Sequence, residues 1–205
     1  MNIKEKAMNI FGYPIWLSEQ TYNFNDNEIK YIKNLEKKDN GGGGGNKVSV
    51  DDYLFKNDEM FGIKKFCQMQ IEKYFYELVN VEDQIKIYPT QAWANYNSKN
   101  EKHHSHKHAN SIVSGVLYVQ TNGVKIHFER GDELWPLQLR YKSFDYFNSE
   151  SWWVNSITGK ILLFPSKLAH NVEENESDLQ RISIAINTFV TGYIGNNLDK
   201  TGLNL

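Results

Sequence analysis

Cysteine is almost absent from this chain of 205 residues. The single Cys67 excludes an internal disulfide and any zinc site built on several thiolates, and it fits a reducing compartment. Long apolar runs are missing as well. None approaches the roughly 20 residues that a membrane-spanning helix needs. The first eleven residues, Met1 to Phe11, mix Lys and Glu with short apolar pieces and lack a signal-peptide core. An excess of one charge is also lacking: 23 basic against 25 acidic side chains leave a net charge of -2. That balance argues against nucleic acid as a bulk partner. Together these gaps predict a soluble cytoplasmic protein with no membrane partner. Aromatic residues, in contrast, are plentiful, and their large buried areas compensate for a hydrophobic content of only 40%. The length suits one domain with a substantial core.

The pattern runs from helices to strands. Ile10 to Leu17 reads as a strand, and Pro14 favours an edge position for it. Asn25 and Asp26 start a helix with Ile29, Ile32 and Leu35 at helical spacing. It dissolves into Lys37-Lys38-Asp39-Asn40 and five glycines, Gly41 to Gly45. This run lacks the Gly-Lys-Ser/Thr ending and the flanking strand of a phosphate loop, so it reads as a mobile surface loop. A second helix is predicted over Met60 to Val79, with Phe61, Phe66, Met69, Tyr74, Phe75 and Leu78 as its apolar face. Cys67 lies in it without a histidine neighbour to act as base, and reads as a small buried hydrophobe.

Period-two alternation takes over after Pro89. Thr90 to Tyr96, Ile112 to Gln120, Gly123 to Phe128, Lys160 to Phe164 and Arg181 to Val190 read as strands. The expected fold is mainly β (α+β), a double-sheet jelly roll with flanking N-terminal helices. Its helical part would cover about 20–85 and its jelly-roll core about 86–192, in one domain.

Five of the six histidines fall in two places. His103, His104, His106 and His108 form one run, and His170 follows a Phe164-Pro165 turn. Two histidines separated by one residue share a side of an extended strand. His106 with His108 satisfies that spacing, as does His104 with His106, and His170 supplies the distant third ligand. Nitrogen donors without thiolate suit iron, zinc, copper or nickel better than magnesium or calcium. Eleven residues after His170, Arg181 opens a strand in which Arg181, Ser183, Ala185 and Asn187 share one face and Ile182, Ile184 and Ile186 the other. An arginine and a serine opposite the apolar face form a carboxylate clamp.

These residues resemble the 2-oxoglutarate/Fe(II)-dependent oxygenase superfamily, and more narrowly a group of such oxygenases common in phage and marine microbial sequences. That group carries His-x-His-x-Asn-Ser-x-x-Ser-Gly-Val-x-Tyr-Val, then Gly-x-x-x-x-Phe-Pro-Ser-x-x-x-His, then Arg-Ile-Ser-x-x-x-Asn. All three elements match between His106 and Asn187, and Phe11-Gly12-Tyr13-Pro14-Ile15 resembles the start of the same group. The resemblance implies a double-stranded β-helix fold and a dioxygenase of hydroxylase type. Such an enzyme couples decarboxylation of 2-oxoglutarate to succinate with oxidation of a second substrate by O2. It further implies that His106, His108 and His170 hold Fe(II). Arg181, helped by Ser183, would grip the distal carboxylate of 2-oxoglutarate, and Asn95, eleven residues before His106, would touch the same cosubstrate. The superfamily's usual middle ligand is Asp or Glu, where this chain has His108. The metal would then keep more positive charge, unless an acid such as Glu101 or Glu129 ligates instead.

Between the two motifs lies a long aromatic stretch, Trp135 to Trp153. In a jelly roll it would overhang the metal as a substrate lid, or else cover a sheet face or build a homodimer contact. The substrate itself, whether protein side chain, nucleobase or metabolite, is not specified by the sequence. Two other classes compete: a three-histidine cupin-like binding protein or isomerase without 2-oxoglutarate, and an inactive jelly-roll binding module. Arg181 with Ser183 discriminates against the first.

Overall fold

The computed structural model describes residues 12–42, 44–131 and 135–205. The Met1 to Phe11 stretch, including the predicted strand start at Ile10, lies outside them, as does Gly43. In chain order the elements are β1 (Trp16–Leu17), α1 (Asp26–Asn34), β2 (Lys37–Asp39), β3 (Lys47–Ser49), α2 (Phe61–Glu72), β4 (Lys86–Asn97) and β5 (His103–His106). Then follow β6 (Val113–Gln120), β7 (Lys125–Glu129), β8 (Ser151–Asn155), β9 (Ile161–Pro165), β10 (His170–Val172), β11 (Arg181–Thr191), β12 (Tyr193–Ile194) and β13 (Leu203–Asn204).

Two antiparallel sheets carry the fold. The larger has the order β1-β9-β6-β11-β4-β3-β2, the smaller β5-β10-β7-β8. This is the expected mainly β jelly roll, with α1 and α2 against one sheet. β1 takes the edge position that its neighbour Pro14 favours. β4 runs through Pro89 and is longer than its alternation suggests. The register of β4 with β11 shifts between Asn187 and Thr188, where Thr188 faces Pro89, so a residue without an N–H costs the ladder little.

Alternation along the strands divides the molecule into two cores. Ile182, Ile184 and Ile186 of β11, Ala92, Ala94 and Tyr96 of β4, and Ile161 and Leu163 of β9 pack against Ile63, Cys67 and Ile71 of α2. Their neighbours on the opposite face, Tyr118, Leu162 and Phe164, meet Ile126, Phe128 and Val172 of the smaller sheet. The second core is where the sheets close on each other.

The N-terminal half departs from expectation in two ways. Asn25 does cap α1, in a capping box with Glu28, but α1 does not dissolve into a loop. Lys37–Asp39 and Lys47–Ser49 pair as a hairpin that extends the larger sheet, and the glycine run is its turn. Gly44 accepts a backbone hydrogen bond from Lys102 at 3.0 Å, so the turn is docked on the following sheet rather than free. The second helix is α-helical only to Glu72 and continues as a π-turn over Lys73–Leu78. Phe66, Tyr74 and Phe75 are buried as expected, whereas Phe61 (70% exposed) and Leu78 (45%) lie outside the apolar face, which Ile63, Cys67, Gln70 and Ile71 complete. Among the described residues no helix is long and apolar enough to cross a membrane.

Candidate active site

Two strands of the smaller sheet, β5 and β10, deliver the histidines. The imidazole run is itself strand β5, and His106 at its end is the register partner of His170 in β10, which on its other side pairs with Phe128 of β7. His108 lies two residues past the strand, with its backbone N–H donating to the Ser166 carbonyl at 3.0 Å. The ligand atoms of His106, His108 and His170 all lie within 4.8 Å of one another. Their ring centroids are 4.3 Å (His106–His170), 5.0 Å (His106–His108) and 5.2 Å (His108–His170) apart.

Backbone carbonyls fix which nitrogen each ring offers. His106 Nδ1 donates to the His104 carbonyl at 2.9 Å, and His170 Nδ1 donates to the Leu168 carbonyl at 3.0 Å. A carbonyl can only accept, so both rings carry the proton on Nδ1 and present the Nε2 lone pair. Phe164 at 4.6 Å and Phe128 at 6.2 Å flank His170, and Trp93 stands 5.8 Å from His108. Burial in this aromatic setting, then the charge of His106, holds His170 down to about 3 and His108 down to about 4. His106 is lowered too, chiefly by burial. All three are therefore neutral at pH 7, the form that binds a metal.

The larger sheet places a buried arginine among polar side chains on its inward face. Ser183 lies between Asn95 of β4 and Tyr118 of β6 in the ladder, and Arg181 faces Asn97. Arg181 is 3% exposed, donates to Asn97 Oδ1 at 3.3 Å and stands 5.6 Å over the Tyr118 ring. Burial lowers its pKa, and its charge is among those that depress His103. Among the described residues no carboxylate pairs with it. Arg181 Nε, Asn97 Nδ2, Tyr118 OH and Asn95 Oδ1 are all buried without a partner. A desolvated guanidinium with unused donors is costly unless an anion completes it. A dicarboxylate bound between this arginine and a metal fits that deficit, and three neutral nitrogen donors fit a divalent transition ion.

Neither acid proposed as an alternative ligand joins the histidines. Glu101 accepts from the Ser98 N–H at 2.6 Å, and Glu129 from the Asn171 amide at 2.9 Å. Asn97 and Tyr118 escaped the sequence reading, although both follow from strand alternation: Asn97 is two residues past Asn95, and Tyr118 pairs across Ser183. A cleft of about 380 Å³ opens beside the histidine run, and its other walls are Lys38, Asn40, Val48, Asp52, Gln91 and Trp93. The β2–β3 hairpin, rather than the Trp135 to Trp153 stretch, thus borders the site. That stretch ends in β8, the edge strand beside β7, with Trp152 and Trp153 stacked 4.5 Å apart.

Residues 91–187, just under half of the chain, match the model of a family described as "Putative 2OG-Fe(II) oxygenase". Over those residues the chain is similar to the 2OG-Fe(II) oxygenases. Solved structures show the same fold. A 2OG-Fe(II) oxygenase family oxidoreductase from Burkholderia pseudomallei aligns with a TM-score of 0.56 at 10% identity, over 78% of this chain and 74% of that one. HygX from Streptomyces hygroscopicus, solved with nickel and 2-oxoglutarate bound, aligns at 0.54 and 12% identity, over 85% and 82%. A prolyl-4-hydroxylase from Pseudomonas putida aligns at 0.53 and 13%, over 83% and 91%. No curated protein matches the sequence.

Proposed function

We propose that this chain is a 2OG-Fe(II) oxygenase in which His106, His108 and His170 hold the iron and Arg181, with Ser183 and Asn95, receives the distal carboxylate of 2-oxoglutarate. The buried Arg181 guanidinium, with no carboxylate partner among the described residues and an unused Nε donor, carries this reading, because it supplies a full charge where an anion would bind. Iron at this place supplies oxygen activation, coupled to decarboxylation of 2-oxoglutarate to succinate. The residues of the chain do the remaining work. Burial keeps the three imidazoles neutral and free to ligate, and the His104 and Leu168 carbonyls fix their orientation. Phe128 and Phe164 keep water from the inner side of His170.

With His108 in the position of the usual carboxylate, the ligand set brings no negative charge. The dianionic cosubstrate then balances the metal, which makes metal and 2-oxoglutarate binding mutually supportive. The product we infer is a hydroxylated small polar metabolite or single side chain, admitted through the cleft between Trp93, Gln91 and the Lys38–Asp52 pair. The lone cysteine, Cys67, free and buried, supports a cytoplasmic location on this reading.

The test is an anaerobic titration of apoprotein with Fe(II) and then 2-oxoglutarate. A visible metal-to-ligand charge-transfer band is expected, absent in Arg181→Ala and in His170→Ala. Tight metal binding with no band in the parent protein would overturn the assignment and leave a three-histidine cupin-type site.

A further inference from the structure

The imidazoles of two histidines of the run, His103 and His104, are not among the ligands of the site just described. They are nonetheless organised. His103, His104 and His106 form a second trio whose ligand atoms lie within 4.8 Å of one another. Their ring centroids are 4.4 Å (His103–His106), 5.1 Å (His103–His104) and 5.3 Å (His104–His106) apart.

The glycine turn of the β2–β3 hairpin is fitted to this trio. The Asn40 NH2 donates to His103 Nε2 at 3.0 Å, holding the ring in place with a bond that an incoming ion displaces. A Cβ on Gly42 would fall 2.1 Å from the His104 ring, and one on Gly44 would fall 2.1 Å from the Lys102 carbonyl oxygen. Only residues without a side chain let the turn lie this close to the histidine strand. The glycine run, which the inner site leaves unexplained, thereby backs the outer trio.

We propose that His103, His104 and His106 form an outer site for a divalent transition ion, which passes the ion to the inner trio through the shared His106. The inference rests on the inner trio being the working site. Three imidazoles without thiolate select iron, cobalt, nickel or zinc over magnesium and calcium. His106 Nδ1 is committed to the His104 carbonyl, so one lone pair, on Nε2, serves both trios. The two positions are therefore alternatives for a single ion and not a dinuclear pair.

Exposure follows the same direction. His104 is exposed, His103, His106 and His108 are half-buried, and His170 is 3% exposed. Adjacent rings along this line are 4.3 to 5.3 Å apart. An ion held by His106 exchanges His103 and His104 for His108 and His170 one imidazole at a time. It need not return to water on the way.

The experiment is a titration of the full chain with Co(II), read by calorimetry and visible absorption, with stopped-flow loading and circular dichroism as a fold control. Wild type should bind one equivalent. The double variant His108→Ala/His170→Ala, with only the outer trio, should still bind one equivalent, more weakly, and show no spectral response to 2-oxoglutarate. His103→Ala/His104→Ala should bind one equivalent, respond to 2-oxoglutarate, and load about tenfold slower or worse. Gly42→Ala removes no ligand yet displaces His104, and should slow loading in an otherwise intact protein. Two equivalents in wild type, no binding by the outer-only variant, or an unchanged loading rate in His103→Ala/His104→Ala would each overturn the proposal. Failure of the inner reading looks different: His103→Ala/His104→Ala would then give no response to 2-oxoglutarate.

Discussion

The two faces of β11 are equally shielded from water and chemically opposite. Ile182, Ile184 and Ile186 are 0–1% exposed and fill the core beneath α2. Arg181, Ser183 and Asn187, one residue out of phase, are 2–8% exposed on the other face, and Arg181 and Asn187 each keep a buried polar atom unpartnered. One face is satisfied by the protein alone, while the other keeps polar atoms that a ligand would complete on the function proposed above. On that proposal, period two assigns stability to the even positions and binding to the odd ones. The apolar face must offset what the unpaired guanidinium costs.

The strongest way to break this division is through the even face. Ile184→Ala should lower stability by about 2–5 kcal/mol in urea denaturation, because a fully buried side chain leaves a cavity in a rigid layer. Metal and 2-oxoglutarate affinities per folded molecule should not move. Arg181→Met sharpens the comparison from the other side. Its 2-oxoglutarate affinity by calorimetry should fall about 100-fold, ~2.7 kcal/mol. The urea midpoint of the apoprotein should hold or rise, since a desolvated charge is gone. If both variants lost stability and affinity together, the two faces would not be separable.

A smaller effect comes from the histidines. In the unfolded chain they titrate near 6.5, whereas in the fold burial holds His108 down to about 4 and His103 and His170 down to about 3. Below pH ~6.5 the unfolded state therefore binds more protons than the native state. The stability of the metal-free protein is fully present above that value and is lost as pH falls toward 4 and then 3. Urea midpoints measured from pH 7.5 down to pH 5 should decline, and His170→Leu should flatten the decline. A flat wild-type profile would mean that the imidazoles are not held neutral by burial.

The strands that carry the odd and even faces were legible because their alternation is strong and their inward isoleucines are unbroken. The convergence of His106, His108 and His170 is legible because metal ligation restricts residue type as well as spacing. What the pattern hid is equally physical. β2 and β3, Lys37–Asp39 and Lys47–Ser49, carry charge on exposed positions of an edge hairpin, so they lack an apolar signature. β5 is made of histidine and serine, which read as a polar loop until pairing with β10 is seen. In α2 the aromatic Phe61 outweighed the quieter series Ile63, Cys67, Gln70 and Ile71, although that series has the helical spacing. Arg181's missing partner could not be read at all, because an unsatisfied donor is a property of packing and not of composition.

The finest test falls on Asn95, opposite Ser183 in the ladder and with an unpartnered Oδ1. Its amide oxygen cannot accept from a carboxylate, so any contact with 2-oxoglutarate must come from the NH2 group. The amide can turn to present it at little cost, since no hydrogen bond holds Oδ1 in place. Asn95→Ala should therefore weaken 2-oxoglutarate by only about 0.5–1.5 kcal/mol, the net worth of one hydrogen bond, and leave apoprotein stability unchanged or slightly higher. Calorimetry on the same preparation as Arg181→Met measures both. An effect as large as that of Arg181→Met would show that Asn95 positions the guanidinium itself, and the odd face would then act as one network rather than as a clamp with a minor helper.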